Sequence, residues 1–156
     1  MRIIGLDPSS SYCGAALVVA GQLIEANHWE KNKKLSAIGN LHDAYAWTRQ
    51  ACLDFNADMA VVEYLSMTRN AKTTRVVSHF QAAQALAAKH EGLVVIEARV
   101  SSARSVVLGN GGLSKDDAWD IMRKRYPNMF ARKTTGGLDE MDASVLALAG
   151  EVLAER

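Results

Sequence analysis

Four acidic side chains are spaced so that folding can bring them to one site. Asp7 follows the first apolar run of the chain, and Glu63 ends a later short apolar run. Asp139 and Asp142 are three residues apart near the C-terminus, so on a helix they share one face. Because acids at the ends of neighbouring buried strands meet at one end of a sheet, we expect all four carboxylates to line one pocket.

Four carboxylates in one pocket repel one another unless a cation neutralises them. Mg²⁺ prefers a few carboxylates together with waters and phosphate oxygens. Two such ions about 4 Å apart activate a water molecule and stabilise the leaving oxygen of a phosphodiester. The acidic set therefore predicts metal-dependent phosphodiester hydrolysis.

Each acid alone also has an ordinary structural explanation. Asp7 precedes Pro8 in a turn-forming sequence, and Glu63 could simply mark the exit of a strand. Asp139 and Asp142 would suit the N-cap and first turn of a helix. The joint pattern, rather than any single acid, indicates the site.

Three apolar runs at the start of the chain predict three antiparallel strands. They cover residues 2–7, 14–19 and 22–29, and the turn 20–22 joins the last two as a hairpin. Pro8 ends the first run because it lacks an N–H and restricts the residue before it.

Helices and strands alternate in the rest of the chain. An amphipathic helix is predicted at 34–55, and unbroken apolar runs at 58–63 and 93–96 flank an alanine-rich helix at 70–90. The segment 100–108 could form a short helix, and Ser114 is the predicted N-cap of a helix that ends near Tyr126. A final helix is predicted at 138–154.

The predicted order is β-β-β-α-β-α-β-α-α. This order indicates one α/β domain over residues 1–156, with a mixed five-stranded sheet, three strands antiparallel and then two parallel, flanked by helices. A chain of 156 residues is large enough to form a core without a disulfide or a zinc ion.

Composition excludes several classes of protein. Cys13 and Cys52 are far apart, which argues against a disulfide framework and favours a reducing compartment. The N-terminus does not resemble a secretory signal, and no apolar stretch approaches the roughly 20 residues that span a bilayer. We therefore expect a cytoplasmic protein of a bacterial cell or a phage-infected host, with no membrane partner.

The net charge of +1 hides two opposed parts of the chain. Residues 64–135 hold twelve Lys and Arg against five acids, a surplus of seven positive charges, and the remaining residues have a surplus of six negative charges. A net charge near zero would by itself argue against a nucleic-acid partner, but the basic stretch 64–135 can bind phosphates.

Three acidic motifs stand in order along nearly the whole chain, in the segments Ile3–Ser10 with Gly14, Val61–Ala71 and Asp139–Ala149. They resemble the motifs of RuvC-type Holliday junction resolvases, in the RNase H-like superfamily. The resemblance implies an RNase H-like fold and a site of two Mg²⁺ ions, with Mn²⁺ as an alternative. The implied ligands and catalytic acids are Asp7, Glu63, Asp139 and Asp142.

The resemblance also assigns roles to basic residues. Lys115 and Arg104 match positions where the family has lysines near the scissile phosphate, and Lys115 is the implied catalytic cation. Arg69, Lys72 and Arg75 recur at three-residue spacing at the start of the helix 70–90, where they could follow a DNA backbone. Lys115, Lys72 and Arg75 could each instead be an ordinary solvated side chain.

The sequence departs from the family pattern at two positions. Ser9 replaces the usual glycine after Asp-Pro, and Ser66 stands where cellular members have a phenylalanine that wedges into the junction. A serine cannot stack on a base, a contact worth about 1–3 kcal/mol. We expect altered junction opening and sequence selectivity, with Tyr64 or Met67 as a replacement, and the departures suggest a bacteriophage member.

The implied function is a Holliday junction resolvase, an endonuclease that makes paired symmetric nicks in branched, four-way DNA. The products carry 5′-phosphate and 3′-hydroxyl ends. A two-fold substrate suits a homodimer. We expect its interface on the helix 70–90, along the stripe of Val77, Phe80, Ala83, Gln84 and Ala87.

Three other functions fit the sequence less well. An RNase H-like nuclease acting on flaps or structured RNA would share the acids, and a monomeric state would favour it. A module that binds junctions without cutting would gain from losing four negative charges, so the acids argue against it. A sugar kinase or actin-like ATPase would need two such domains, for which the chain is too short.

Overall fold

A mixed five-stranded sheet forms the centre of the computed structural model, which describes residues 1–65 and 70–155. The strand order is β3-β2-β1-β4-β5. The strands are β1 (Arg2–Pro8), β2 (Tyr12–Val19), β3 (Gln22–Glu30), β4 (Met59–Glu63) and β5 (Val94–Ala98). β1, β2 and β3 are antiparallel, whereas β4 and β5 run parallel to β1, which confirms the predicted sheet.

Helices cover both faces of this sheet. They are α1 (Ala37–Asp54), α2 (Ala71–His90), α3 (Val100–Leu108), α4 (Lys115–Arg125) and α5 (Gly137–Ala154). Three helices follow β5, so the predicted order was one helix short. The segment 100–108 is a complete helix that ends at Gly109, whose φ of 80° suits a residue without a side chain.

Local sequence signals set where the helices begin. The side chain of Ser36 accepts a hydrogen bond from the N–H of Gly39, so α1 begins at Ala37 rather than at the predicted residue 34. Asn70 and Ser114 cap α2 and α4 in the same way. The β2–β3 hairpin turns at Ala20 and Gly21, which both have positive φ, as a tight two-residue turn requires.

The strands bury alternate side chains on opposite faces of the sheet. Ile4 and Leu6 of β1 pack with Val62 of β4 against the face that α1 and α2 cover. Ile3 of β1 instead packs in the core beneath α3, α4 and α5. Because side chains alternate along a strand, Asp7 points to the same face as Ile3, towards α5.

The stripe predicted as a dimer interface on α2 lies largely inside the protomer. Phe80, Gln84 and Ala87 are buried, because this face of α2 packs on α1 and the sheet. The opposite face of α2 exposes Ala82 and Leu86. An interface through α2 therefore has to use that opposite face. Within residues 1–65 and 70–155, no helix combines the length and the apolarity that a membrane crossing needs.

Candidate active site

The parallel pairing of β1 with β4 brings Asp7 and Glu63 together. Leu6 is opposite Val62 in this pairing, so the next residue on each strand is one of the two acids. Asp7 is only 2% exposed, and Glu63 is half-buried at the end of β4. The predicted meeting of these acids at one end of the sheet is observed.

Two glycines allow α5 to bring the other two acids to the same place. A Cβ atom on Gly5 would lie 1.9 Å from the carbonyl oxygen of Ala143, and one on Gly14 would lie 2.2 Å from that of Asp139. The first turns of α5 therefore pack directly on the backbones of β1 and β2. Asp139 and Asp142 are buried beside Asp7 as a result, with exposed fractions of 9% and 1%.

Asp7, Glu63 and Asp139 have raised pKa values. Burial is the largest cause for Asp7, whose pKa is raised well above its usual value, and the charges of Glu63 and Asp142 add to it. Burial also raises the pKa of Glu63 and of Asp139, and both side chains lie within hydrogen-bonding reach of Asp7. Such a cluster of acids favours the binding of a positive charge.

Lys115 provides one positive charge at the N-terminus of α4. Its Nζ lies 3.2 Å from Oδ2 of Asp142 and 3.9 Å from Oδ1 of Asp139. Burial lowers the pKa of Lys115, but Asp7, Asp142 and Asp139 outweigh burial and raise it overall. Lys115 is therefore positively charged where the acids converge.

Arg104 provides a second positive charge from α3. Its Nη2 lies 2.7 Å from Oδ1 and 2.9 Å from Oδ2 of Asp142, and its Nε lies 3.2 Å from Oδ1. Its Nη1 donates to the carbonyl oxygen of Leu113 at 2.8 Å. Arg104 is only 8% exposed, which leaves little of its surface for a phosphate. The predicted contact of Arg104 with DNA remains a prediction.

The other predicted DNA-binding residues lie at the start of α2. Lys72 and Arg75 are exposed there, in the first turns of the helix. Arg69 and Ser66 lie outside the described residues, so the DNA contact of the one and the wedge position of the other stay predictions. Tyr64, a predicted replacement for the wedge, is 46% exposed directly after Glu63.

His28 is a residue near the site that the sequence did not reveal. Its Nδ1 lies 2.6 Å from Oε1 of Glu140, which follows Asp139 on α5. The His28 ring also packs edge-on to Tyr12 and fits over Gly136, where a Cβ atom would lie 2.7 Å from the ring. These contacts hold the first turn of α5 against β3. Because His28 and Glu140 are 112 residues apart in the sequence, no local pattern predicts their contact.

The donor set fits a hard divalent cation. All four predicted ligands are carboxylates, and among the described residues Oδ2 of the buried Asp7 has no hydrogen-bond partner. In the same part of the chain, no group of three or more His, Cys, Asp or Glu side chains is arranged so that it could already hold a metal ion. The acids thus have the chemistry of a magnesium site, and Asp142 is turned towards Arg104 and Lys115.

Comparison with protein families gives a match over almost the whole chain. The family model described as "Crossover junction endodeoxyribonuclease RuvC" matches residues 3–149. The chain belongs to the RuvC family. This confirms the resemblance drawn from the three acidic motifs, and nucleases of this family depend on metal ions.

Relatives of the RuvC family resemble the chain over most of its length. The crossover junction endodeoxyribonuclease RuvC of Myxococcus xanthus is 28% identical over 96% of this chain and 73% of its own length. The enzyme of the same name from Rhodospirillum rubrum is 27% identical over 95% of this chain and 88% of its own length.

Solved structures of RuvC and of a yeast mitochondrial Holliday junction resolvase share the fold. A structure described as Thermus thermophilus RuvC in complex with Holliday junction substrate aligns with a TM-score of 0.81 and 18% identity, covering 100% of this chain and 95% of that chain. The yeast mitochondrial Holliday junction resolvase aligns with a TM-score of 0.63 and 11% identity, covering 94% of this chain and 76% of that chain. The RNase H-like fold is thereby confirmed.

Proposed function

We propose that this RuvC-family chain is a Holliday junction resolvase. It is a metal-dependent, structure-selective endonuclease that makes paired symmetric nicks in four-way DNA junctions by hydrolysing phosphodiesters. The products have 5′-phosphate and 3′-hydroxyl ends. We place its action in the cytoplasm of a bacterial cell or a phage-infected host.

One observation carries this proposal beyond family membership. Asp7, Glu63, Asp139 and Asp142 come from three separate elements and converge at one end of the sheet, beside Lys115. Burying such a set is unfavourable for folding, because each carboxylate loses hydration and repels the others. A chemical role at this point explains why the chain keeps them together.

The metal ligands in this proposal are the four acids. Asp7 lies between Glu63 and the acids of α5, so it is the ligand that two sites would share, with the remaining acids completing them. Two bound Mg²⁺ ions, or Mn²⁺ in their place, would activate a water and stabilise the leaving oxygen. Lys115 holds a positive charge next to the reacting phosphate and offsets the charge that develops there.

Exposed bases and a second protomer complete the proposal. Lys72 and Arg75, with Arg69 before them, bind the DNA backbone at the start of α2. A four-way junction has two-fold symmetry, so a homodimer would present two acidic sites to opposed strands. Its interface uses the exposed face of α2 that includes Ala82 and Leu86.

Sequence selectivity at the junction follows from the change at Ser66. With no aromatic wedge at that position, the chain opens junctions differently, and the exposed Tyr64 is placed to stack on a base instead. Cleavage should be compared across junctions that differ only in core sequence. We expect a broad or shifted preference, and a narrow preference of the cellular type would contradict this part of the proposal.

A panel of labelled DNA substrates tests the proposed function. Four-way, three-way, flap and linear DNA are incubated with the pure protein, with and without Mg²⁺. We expect Mg²⁺-dependent cleavage of the four-way junction at two symmetric positions. Cleavage restricted to the flap substrate, or binding without cleavage, would overturn the proposal.

A further inference from the structure

Arg104 is placed to act on Asp142 rather than on DNA. We propose that Arg104 is a positioning residue that fixes the orientation of the Asp142 carboxylate and limits its availability to metal. This inference rests on the proposed function, because it treats Asp142 as a metal ligand. It gives Arg104 a different role from the phosphate contact that the sequence suggested.

The guanidinium group of Arg104 makes hydrogen bonds inside the protein through all three of its nitrogens. Nε and Nη2 donate to Asp142, and Nη1 donates to the carbonyl oxygen of Leu113. Each of its three nitrogens therefore has an acceptor. With the residue 8% exposed, little of the group is left to meet a phosphate on the surface.

The Asp142 carboxylate receives donors on both of its oxygens. Oδ1 accepts from Nε and Nη2 of Arg104, while Oδ2 accepts from Nη2 of Arg104 and lies 3.2 Å from Nζ of Lys115. Asp7 is different, since its Oδ2 has no hydrogen-bond partner among the described residues. A divalent ion therefore meets an unpartnered carboxylate oxygen at Asp7 and an acid already shared between two cations at Asp142.

Arginine and lysine would act differently at this position. The planar guanidinium binds a carboxylate through two parallel contacts and so sets its angle, whereas an ammonium group is a point charge on a flexible stem. Arg104 is also held at a second point, by Leu113. The pair with Asp142 is consequently rigid, and its fixed positive charge weakens metal binding at that acid.

Two variants of Arg104 separate orientation from charge. Arg104→Gln removes the charge, so the dissociation constant for Mn²⁺ should fall by roughly three- to ten-fold. Arg104→Lys keeps the charge but loses the paired contacts, so Mn²⁺ affinity should stay near that of the wild type. Both variants should cleave more slowly at saturating metal, because Asp142 is no longer held at its angle.

Arg75→Gln is the matched control, because Arg75 is exposed and is the proposed DNA contact. Calorimetric titration of the whole chain with Mn²⁺ and gel-shift binding to a four-way junction in EDTA are measured for every variant. The Arg104 variants should bind the junction like the wild type. Arg75→Gln should weaken junction binding and leave the Mn²⁺ affinity unchanged.

Combination with Asp142→Asn tests whether Arg104 acts through Asp142. In that background, Arg104→Gln should change Mn²⁺ affinity no further, since effects through one shared partner do not add. Full additivity, or a loss of junction binding by Arg104→Gln as large as that of Arg75→Gln, would overturn the inference. If Arg104→Gln does not fold, Arg104→Lys decides the inference through its cleavage rate at saturating Mn²⁺, where a rate equal to that of the wild type would overturn it.

Failure of this inference can be told apart from failure of the proposed function. A wild-type protein that cuts no junction but shows the predicted coupling in Mn²⁺ affinity would overturn the function and keep the role of Arg104. If the wild-type protein cuts junctions but Arg104→Gln and Asp142→Asn show no coupling in Mn²⁺ affinity, the proposed function is kept and the role of Arg104 is overturned.

Discussion

The carbonyl oxygen of Ala143 on α5 lies where a side chain on Gly5 of β1 would be, 1.9 Å from the position of a Cβ atom. Only a glycine lets the helix backbone approach the strand backbone this closely. The contact sets Asp142, the residue before Ala143, beside Asp7, which lies two residues after Gly5. The packing of α5 on β1 thus places the acidic site.

Gly5→Ala should destabilise the fold severely. Both clashing atoms belong to backbones, so neither can rotate away, and the cost should reach about 3 kcal/mol or more, the upper end for overpacked cores. Gly112→Ala is the control, because its nearest neighbour is a side-chain oxygen at 3.4 Å. Urea unfolding measures both changes, and a Gly5→Ala protein as stable as the wild type would contradict the packing described.

Lys115→Ala should slow cleavage without abolishing junction binding. Its Nζ stands 3.2 Å from Asp142, where positive charge would stabilise the reacting phosphate, and removing such a group typically costs about 100- to 1,000-fold in rate. Lys124→Ala on the exposed side of α4 is the control. Single-turnover cleavage separates the two, and equal rates for both variants would refute a catalytic role for Lys115.

Asp7→Asn should become more stable than the wild type as the pH rises. The raised folded-state pKa of Asp7 means that its protonated form favours folding, so this stability is complete below about pH 4 and is lost as the pH rises through the folded value. Because asparagine does not ionise, the Asp7→Asn variant does not lose this stability as the pH rises. Thermal melting in EDTA from pH 4 to 8 should show a growing gap in Tm.

Asp120→Asn, which changes an exposed acid on α4, is the control for that experiment. A difference in Tm between Asp7→Asn and the wild type that stays constant across the pH range would show that the folded-state pKa of Asp7 is not raised.

Leu86→Asp should convert the proposed dimer to a monomer. Leu86 is 63% exposed on the free face of α2, so burying a carboxylate there on association would be unfavourable. Ile38→Asp is the control, because Ile38 is 74% exposed on a different helix, α1. Light scattering gives the oligomeric state, and a Leu86→Asp protein that remains dimeric would place the interface elsewhere.

Local patterns in the sequence were enough to predict the sheet and the positions of the acids. Asp7 and Glu63 lie at the C-terminal ends of neighbouring strands, and Asp139 and Asp142 repeat at helical spacing, so their convergence follows from element order. The helix α3 was predicted at 100–108 with the bounds that the structure shows, although the predicted order of elements left it out.

The contacts that shape the site could not be predicted in the same way. His28 meets Glu140 across 112 residues, and Arg104 meets Asp142 across 38, so neither pair has a local signature. The face of α2 predicted for dimerisation is apolar for a different reason, since Phe80 and Ala87 pack inside the protomer. Apolar periodicity shows that a face is buried, but not which partner covers it.

Cleavage of a labelled four-way junction by the wild type and by Asp7→Asn, side by side in Mg²⁺, tests the central claim most directly. The wild type should nick two opposed strands at symmetric positions, leaving 5′-phosphate ends that a ligase can reseal. The variant should bind the junction with unchanged affinity and cut it at least about 1,000-fold more slowly, since the shared metal ligand is lost. Undiminished cleavage by pure Asp7→Asn protein would contradict the proposed site.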